Sequence, residues 1–410
     1  MICVFWRGIS PIYWFNAGDV MKDRGIKKFA AVLLTAALAA AIISGCGDKN
    51  GSSASGATPD SAPALSSGSA STEPVTRGDI TNPDTTGQQS GKTNSADSEL
   101  AGYVQGSIDE FSYEGVAYLT ENGAVTYSTG GDINDLYRIA SVSKQFTAAA
   151  VLTLYEEGKL DINSSIEQYF PEYSHAGEIT IHQLMCMRSG IPDYMVMADG
   201  IVSPEETYGI SADNSAQANS AIIKNWIFDR SLLFTPGSQN YYCNTNYLLL
   251  GEIVTQVSGM PYEEYIEQKF LAPLGMTSTG FGDTWNGGSV VEKEGEDYKW
   301  FRYKGICCGC ADMISNAVDL EKWGQEFIDN KVLPDNVISL MTQDHSGGYG
   351  YGVIPDESGF IYHEGNLPPY KAALGVNKER GLVLVMLDCG EHSNLLSVKR
   401  GIFGVVKDII

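Results

Sequence analysis

The segments with strand character lie at opposite ends of the folded part of the chain. EGVAYLTENGAVTYSTG (114–130) alternates apolar and polar residues about Asn122-Gly123, a pair suited to the left-handed backbone of a two-residue hairpin turn. That texture returns only in GYGYGVIPD (348–356), GFIYHEG (359–365) and YKAALGVNKERGLVLVMLDC (370–389). Residues 140–345 between them read as helices and loops. A strand with unpaired backbone groups is unstable by itself, so the two sets must meet in one sheet and the middle must form a separate lobe. The fold class expected is α/β (α+β): an antiparallel sheet built from both chain ends, flanked by helices, with an inserted all-α lobe. A cleft between two such lobes is the usual place for a small-molecule site.

The helical segments carry their own punctuation. SELAGYVQGSIDEF (98–111) predicts a helix capped by Ser98. YLLLGEIVTQVSG (247–259) is apolar at helical spacing and closed by glycine, and PYEEYIEQKFLAPLG (261–275) starts with a proline that a first turn tolerates. NAVDLEKWGQEFIDN (316–330) and LLSVKRGIFGVVKDII (395–410) are amphipathic. No internal repeat is evident.

Residues 1–46 read as an address. From Met21, the expected true start, MKDRGIKKFAAVLLTAALAAAIISGC gives a basic head, a short apolar run and small residues, the pattern of a secretory signal. ISGC resembles the lipobox of bacterial lipoproteins, which implies acylation of Cys46 and attachment to the outer face of the cell membrane. Residues 47–97 are Ser, Gly, Thr, Pro, Asp and Asn almost without large apolar side chains, so a disordered tether is expected. The folded domain is expected over 98–410.

With Lys+Arg 27 against Asp+Glu 50 and a net charge of −23, the chain lacks the basic stripe that nucleic acid requires, and it disfavours a highly anionic ligand. Outside the leader the cysteines are Cys186, Cys243, Cys307, Cys308, Cys310 and Cys389. ICCGC (306–310) has no histidine pair at zinc spacing, so buried free thiols are expected and no metal.

The chemistry begins at RIASVSKQFTAAAVLTLYEEGKL (138–160), where Ser141 and Lys144 stand three apart at the mouth of an apolar helix. That spacing puts both on one face. Serine needs a base to become a nucleophile, and burial favours the neutral amine that can serve as one. From Arg138 to Tyr194 the chain resembles the serine β-lactamase and penicillin-binding-protein superfamily, in which Ser-x-x-Lys is a known motif. The likeness is to its class C-like branch, which includes D-alanyl-D-alanine carboxypeptidases and β-lactamase-fold esterases.

The resemblance implies two further motifs, and the chain supplies both in order. Tyr242-Cys243-Asn244 matches Tyr-x-Asn, implying that Tyr242, its pKa lowered by the lysine, relays protons and that Asn244 binds the lysine and the substrate amide. His363-Glu364-Gly365 matches the third motif on a cleft-lining edge strand. It implies that His363 stands beside the tyrosine and that Gly365 leaves room for substrate. The oxyanion hole would pair the backbone N–H groups of Ser141 and Asn366. PLGMTSTGF (273–281) and ISNAVDLEKW (314–323) extend the likeness.

The activity implied is that of a serine hydrolase working through an acyl-enzyme. It is expected to be a D-Ala-D-Ala carboxypeptidase-type cell-wall peptidase; alternatives are a carboxylesterase or β-lactamase on the same machinery, or a non-catalytic sensor. A small-molecule or peptide substrate is implied, and no cofactor. Three departures bear on the substrate. Glu364 replaces the usual hydroxyl residue and would repel a carboxylate if it faced the cleft, unless strand alternation turns it away. Pro368-Pro369 follows the third motif, and Gly309-Cys310-Ala311-Asp312 replaces a smaller stretch of pocket wall. His175, His182, His345 and His392 are read as structural.

Overall fold

The computed structural model describes residues 95–197, 204–293, 299–390 and 393–409. The chain divides into two units, Met1–Ser90 and Gly91–Ile410, and all described residues belong to the second. The leader, Cys46, most of the tether and His392 lie outside the described residues.

The strands do come together from both ends. Val116–Glu121 (β1) and Ala124–Thr129 (β2) form the N-terminal hairpin. Tyr137–Arg138 (β3), Gly280–Phe281 (β4) and Met313–Ser315 (β5) form a separate small sheet. Ile354–Pro355 (β6), Ile361–Leu367 (β7), Tyr370–Asn377 (β8) and Leu382–Cys389 (β9) complete the main one. Its order is β2-β1-β9-β8-β7-β6, with every pair antiparallel. The first hairpin turns at Asn122 (φ 50°) and Gly123 (φ 75°), both left-handed as a type I′ turn requires. The small sheet was not expected, so the inserted lobe is mainly rather than wholly helical.

The helices of eight residues or more are Ser95–Phe111 (α1), Ser143–Glu156 (α2), Ala216–Phe228 (α3), Asn244–Ser258 (α4), Ala317–Asp329 (α5), Asp335–Thr342 (α6) and Leu395–Ile409 (α7). Since α1 starts at Ser95, Ser98 lies within its first turn rather than at its cap. Pro261 likewise caps the helical segment after α4 instead of opening its first turn. Gly259, in the left-handed conformation, ends α4.

Each strand of the sheet centre sends alternate side chains to opposite faces. Ala117, Leu119, Ala373, Leu384 and Met386 pack with α1 and α7 through Val104, Ile108, Val398 and Ile402. Val116, Leu374, Val383, Val385 and Leu387 join the larger core on the other side. There α5 packs so closely that a Cβ on Gly324 would meet Val383 at 2.4 Å. Trp323 of α5 stacks on Phe146 of α2 at 4.1 Å between ring centroids, and its indole N–H donates to Gln145 Oε1 at 2.9 Å. Helix α2 is buried on nearly every side, which explains its Ala-Val-Leu run without a polar face. The Ala140–Val142 turn that leads into it lies against β7 and opens the Ser-x-x-Lys motif.

Candidate active site

Ser141 sits in a tight turn, Ala140–Val142, that leads into α2. Ala140 adopts φ 45°, a left-handed conformation that costs an alanine about 1–2 kcal/mol. The turn is fixed on both sides. Ser143 Oγ donates to the Ala140 carbonyl at 2.7 Å, and the Met313 N–H donates to the same Oγ at 3.3 Å. On the other side β7 presses in at Gly365, where a Cβ would lie 2.1 Å from the Ile139 carbonyl oxygen. Gly365 therefore makes room for the turn that presents Ser141.

Lys144 is fully buried, and its three N–H bonds each meet an acceptor. Nζ lies 2.9 Å from Ser141 Oγ, 2.8 Å from Asn244 Oδ1 and 2.9 Å from the Cys310 carbonyl. Burial brings its pKa down to about 8, against the opposing pull of Cys310 and Asp193. This lysine loses its proton far more readily than an exposed one.

Asn244 opens α4, and its amide orientation is set by Asp193, a residue outside the sequence motifs. The carboxylate Oδ2 of Asp193 accepts from the Asn244 backbone N–H at 3.0 Å and from Nδ2 at 2.9 Å. With its NH2 group held there, Asn244 turns Oδ1 to Lys144. Asp193 is itself buried, which raises its pKa, while the Asn244 and Met195 N–H groups and Lys144 hold it down.

Tyr242 is hydrogen-bonded to Ser141, and Lys144 Nζ lies 5.0 Å from its ring centroid. Burial raises the phenol well above its ordinary pKa despite the Ser141 hydrogen bond. The lowered pKa expected of it is therefore reversed, because desolvation of the phenolate outweighs its neighbours. Lys144, not Tyr242, is the group that gives up a proton first.

His363 stands 6.1 Å from Tyr242 between ring centroids. Its direct partner is a second tyrosine absent from the sequence motifs, Tyr349, whose hydroxyl lies 3.0 Å from Nε2. Nδ1 lies 2.7 Å from the Glu364 carbonyl. A carbonyl only accepts, so Nδ1 carries the hydrogen and Nε2 accepts from Tyr349. Burial, with Lys144 nearby, lowers the His363 pKa to about 3, so the imidazole is neutral at physiological pH.

Strand parity decides where Glu364 goes. His363 and Gly365 are buried toward the Ser141 turn, whereas Glu364 projects to the opposite face and pairs with Lys399 of α7. It is not a cleft residue, and its charge is no obstacle to substrate. β6 pairs only with Ile361 and Tyr362, so from His363 onward the outer edge of β7 is open to the Ser141 turn. Asn366, exposed, sits on that edge opposite Lys371 of β8. Leu367 and Tyr370 close the hairpin around Pro368-Pro369, which is cis. In such a hairpin the next pair does not exchange hydrogen bonds, which turns the Asn366 N–H outward.

The Gly309–Asp312 segment lies behind the lysine, its Cys310 carbonyl being one of the three acceptors. Gly309 (φ 71°) packs on Gly251 of α4, where a Cβ would be 2.6 Å from the Tyr247 carbonyl. The six cysteines among the described residues are free thiols. Among the described residues no group of three or more His, Cys, Asp or Glu is placed to hold a metal ion. His182 and His345 pack with Tyr351, and His175 meets Glu178.

Known proteins share this fold. PbpX of Bacillus subtilis (strain 168) is 24% identical over 319 residues, covering 72% of this chain and 74% of that one. A D-stereospecific amidohydrolase from Streptomyces sp. superposes with a TM-score of 0.61 at 22% identity, covering 74% of this chain and 98% of the other. An octameric penicillin-binding protein homologue from Pyrococcus abyssi gives 0.56 at 25% identity, over 76% and 77%. The family profile described as Beta-lactamase matches residues 100–399, from α1 through the Ser-x-x-Lys turn and β7 to α7. The chain belongs to the Beta-lactamase family, within the serine hydrolase superfamily that includes penicillin-binding-protein homologues.

Proposed function

We propose that this chain hydrolyses amide bonds on the carbonyl side of D-configured residues through an acyl-enzyme on Ser141. The observation that carries the reading is the buried Lys144 ammonium 2.9 Å from Ser141 Oγ, with Asn244 and the Cys310 carbonyl fixing its direction. As the amine, Lys144 takes the Ser141 proton while Oγ bonds to the substrate carbonyl carbon. The Ser141 and Asn366 N–H groups receive the oxyanion, a contribution of several kcal/mol where two donors converge. Tyr242, kept protonated by burial, donates its hydrogen to the departing nitrogen and recovers one from Lys144. Water then attacks the ester, Lys144 again accepting the proton, and the acid and free Ser141 are released.

For the acyl donor, the D-alanyl-D-alanine terminus of a cell-wall peptide is the reading taken from sequence. The related D-stereospecific amidohydrolase supports a D-residue. The site favours substrates whose leaving side is uncharged: His363 is neutral, and the three N–H bonds of Lys144 are committed. The same neutrality suits an ester. Intact-mass spectrometry after incubation with a D-amino acid amide, a D-Ala-D-Ala peptide, a penicillin and a p-nitrophenyl ester tests this. The amide is expected to turn over fastest, with any adduct lost in Ser141→Ala. Silence with all four probes would overturn the reading in favour of a sensor. We propose further that Cys46 is acylated and holds the enzyme at the outer face of the cell membrane, which radiolabelled palmitate and Cys46→Ala would check.

A further inference from the structure

Three cysteines crowd the segment whose carbonyl anchors Lys144, and their geometry is specific. Cys307, Cys308, Gly309 and Cys310 form a single β-turn, closed by the Cys310 N–H donating to the Cys307 carbonyl at 3.0 Å. Gly309, at the third position, has φ 71°, as a type II turn requires. By definition such a turn brings its first and last Cα atoms within about 7 Å, the range a disulfide spans. The Cys310 thiol lies 3.3 Å from the Cys307 carbonyl oxygen and 3.4 Å from the Tyr194 hydroxyl. Cys308 occupies the second position and is the more exposed of the three.

We propose that Cys307 and Cys310 are a redox pair whose disulfide slows acylation of Ser141 by displacing the Cys310 carbonyl from Lys144. The oxidant is a small-molecule disulfide or peroxide. Each thiol gives up one proton and one electron as the Sγ–Sγ bond forms; these reduce a small-molecule disulfide to two thiols, or hydrogen peroxide to two waters. Bond formation draws Cys310 Sγ away from Tyr194, and the carbonyl follows because it belongs to the same residue. Lys144 then loses one of its three acceptors and its fixed direction toward Ser141. The pair is also chemically poised. Burial pushes the Cys310 thiol up, but contact with Cys307 and the Lys144 ammonium bring it below its ordinary pKa, whereas burial leaves Cys186 and Cys243 raised. Thiolate character at one sulfur is what exchange requires.

The kinetic half rests on the acyl-enzyme reading; the covalent half does not, and the two are measured separately. The full chain is treated with diamide, quenched with iodoacetamide, digested and weighed. A Cys307–Cys310 disulfide is expected, two hydrogens lighter than the reduced peptide and unalkylated at both positions. Acylation by a p-nitrophenyl ester should fall at least tenfold on oxidation and recover with dithiothreitol. Cys307→Ser should retain the reduced rate within about twofold and lose the response to oxidant; Cys307→Ala serves if the serine variant is unstable. Alkylation of both thiols after diamide, pairing through Cys308, or a disulfide with unchanged acylation would each overturn the proposal. No acylation in the reduced protein would instead defeat the acyl-enzyme reading, leaving the mass result to decide whether the pair forms.

Discussion

At the scale of single residues, the site is a competition over one proton. Lys144, with its pKa brought down to about 8 by burial, releases it before Tyr242, whose pKa burial raises. The rate constant kcat/KM should therefore rise with pH and level off above an apparent pKa of about 8. A pH–rate profile of ester or amide hydrolysis checks this. Lys144→Arg keeps a cation but removes the base, and should lower kcat/KM by roughly 10²–10⁴-fold. Asp193 adds a second prediction. Its charge raises the Lys144 pKa and its oxygens orient Asn244, so Asp193→Asn should shift the same limb to lower pH and lower kcat/KM about tenfold or more. A residue that only supported the fold would change the amplitude and leave the limb in place.

Residue identities carried much of this. Ser141 and Lys144 were legible because three-residue spacing on a helix is a geometric statement. Asp193 was not, because its importance arises from a long-range contact with Asn244. The orientation of Glu364 depended on strand register, which a motif does not contain. The tyrosine was misjudged because sequence shows its neighbours but not the burial that overrides them.

At the scale of elements, two glycines separate conformational need from steric need. Gly123 is left-handed with open space around it, so Gly123→Ala should cost about 1–2 kcal/mol of stability and leave kcat/KM unchanged. Gly365 is limited by the Ile139 carbonyl. Gly365→Ala must push β7 off the Ser141 turn and should reduce acylation at least tenfold as well as stability. Chemical denaturation and single-turnover acylation of both variants make the comparison. The hairpin was readable because alternation and Asn-Gly act locally. The small sheet was not, since β3 and β4 have two residues each and β5 three, too few to show a period. The start of α1 was misplaced for a related reason: a serine that fits a cap fits a first turn almost as well.

At the scale of the whole molecule, one buried carboxyl is out of balance. Both oxygens of Asp312 are buried without a hydrogen-bond partner, and burial, then Asp283 and Glu263, raise its pKa well above the ordinary range. A carboxyl with a raised folded pKa contributes stability that is fully present below its unfolded value of about 4 and lost as pH climbs through the folded one. Asp312→Asn should therefore raise the melting temperature at pH 8, by the equivalent of about 1–3 kcal/mol, with little gain at pH 4. Scanning calorimetry at the two pH values would show it.

The pairing of β1 with β9 has a consequence in time. Val116 lies opposite Leu387, so the sheet's centre joins two strands 271 residues apart in the chain (387 − 116). Such remote partners make for slow assembly. A nascent chain halted before Leu382 holds Ser141, Lys144, Tyr242 and His363 but has nothing to seat its first hairpin. Competence thus arrives all at once, when Leu382–Cys389 has left the ribosome.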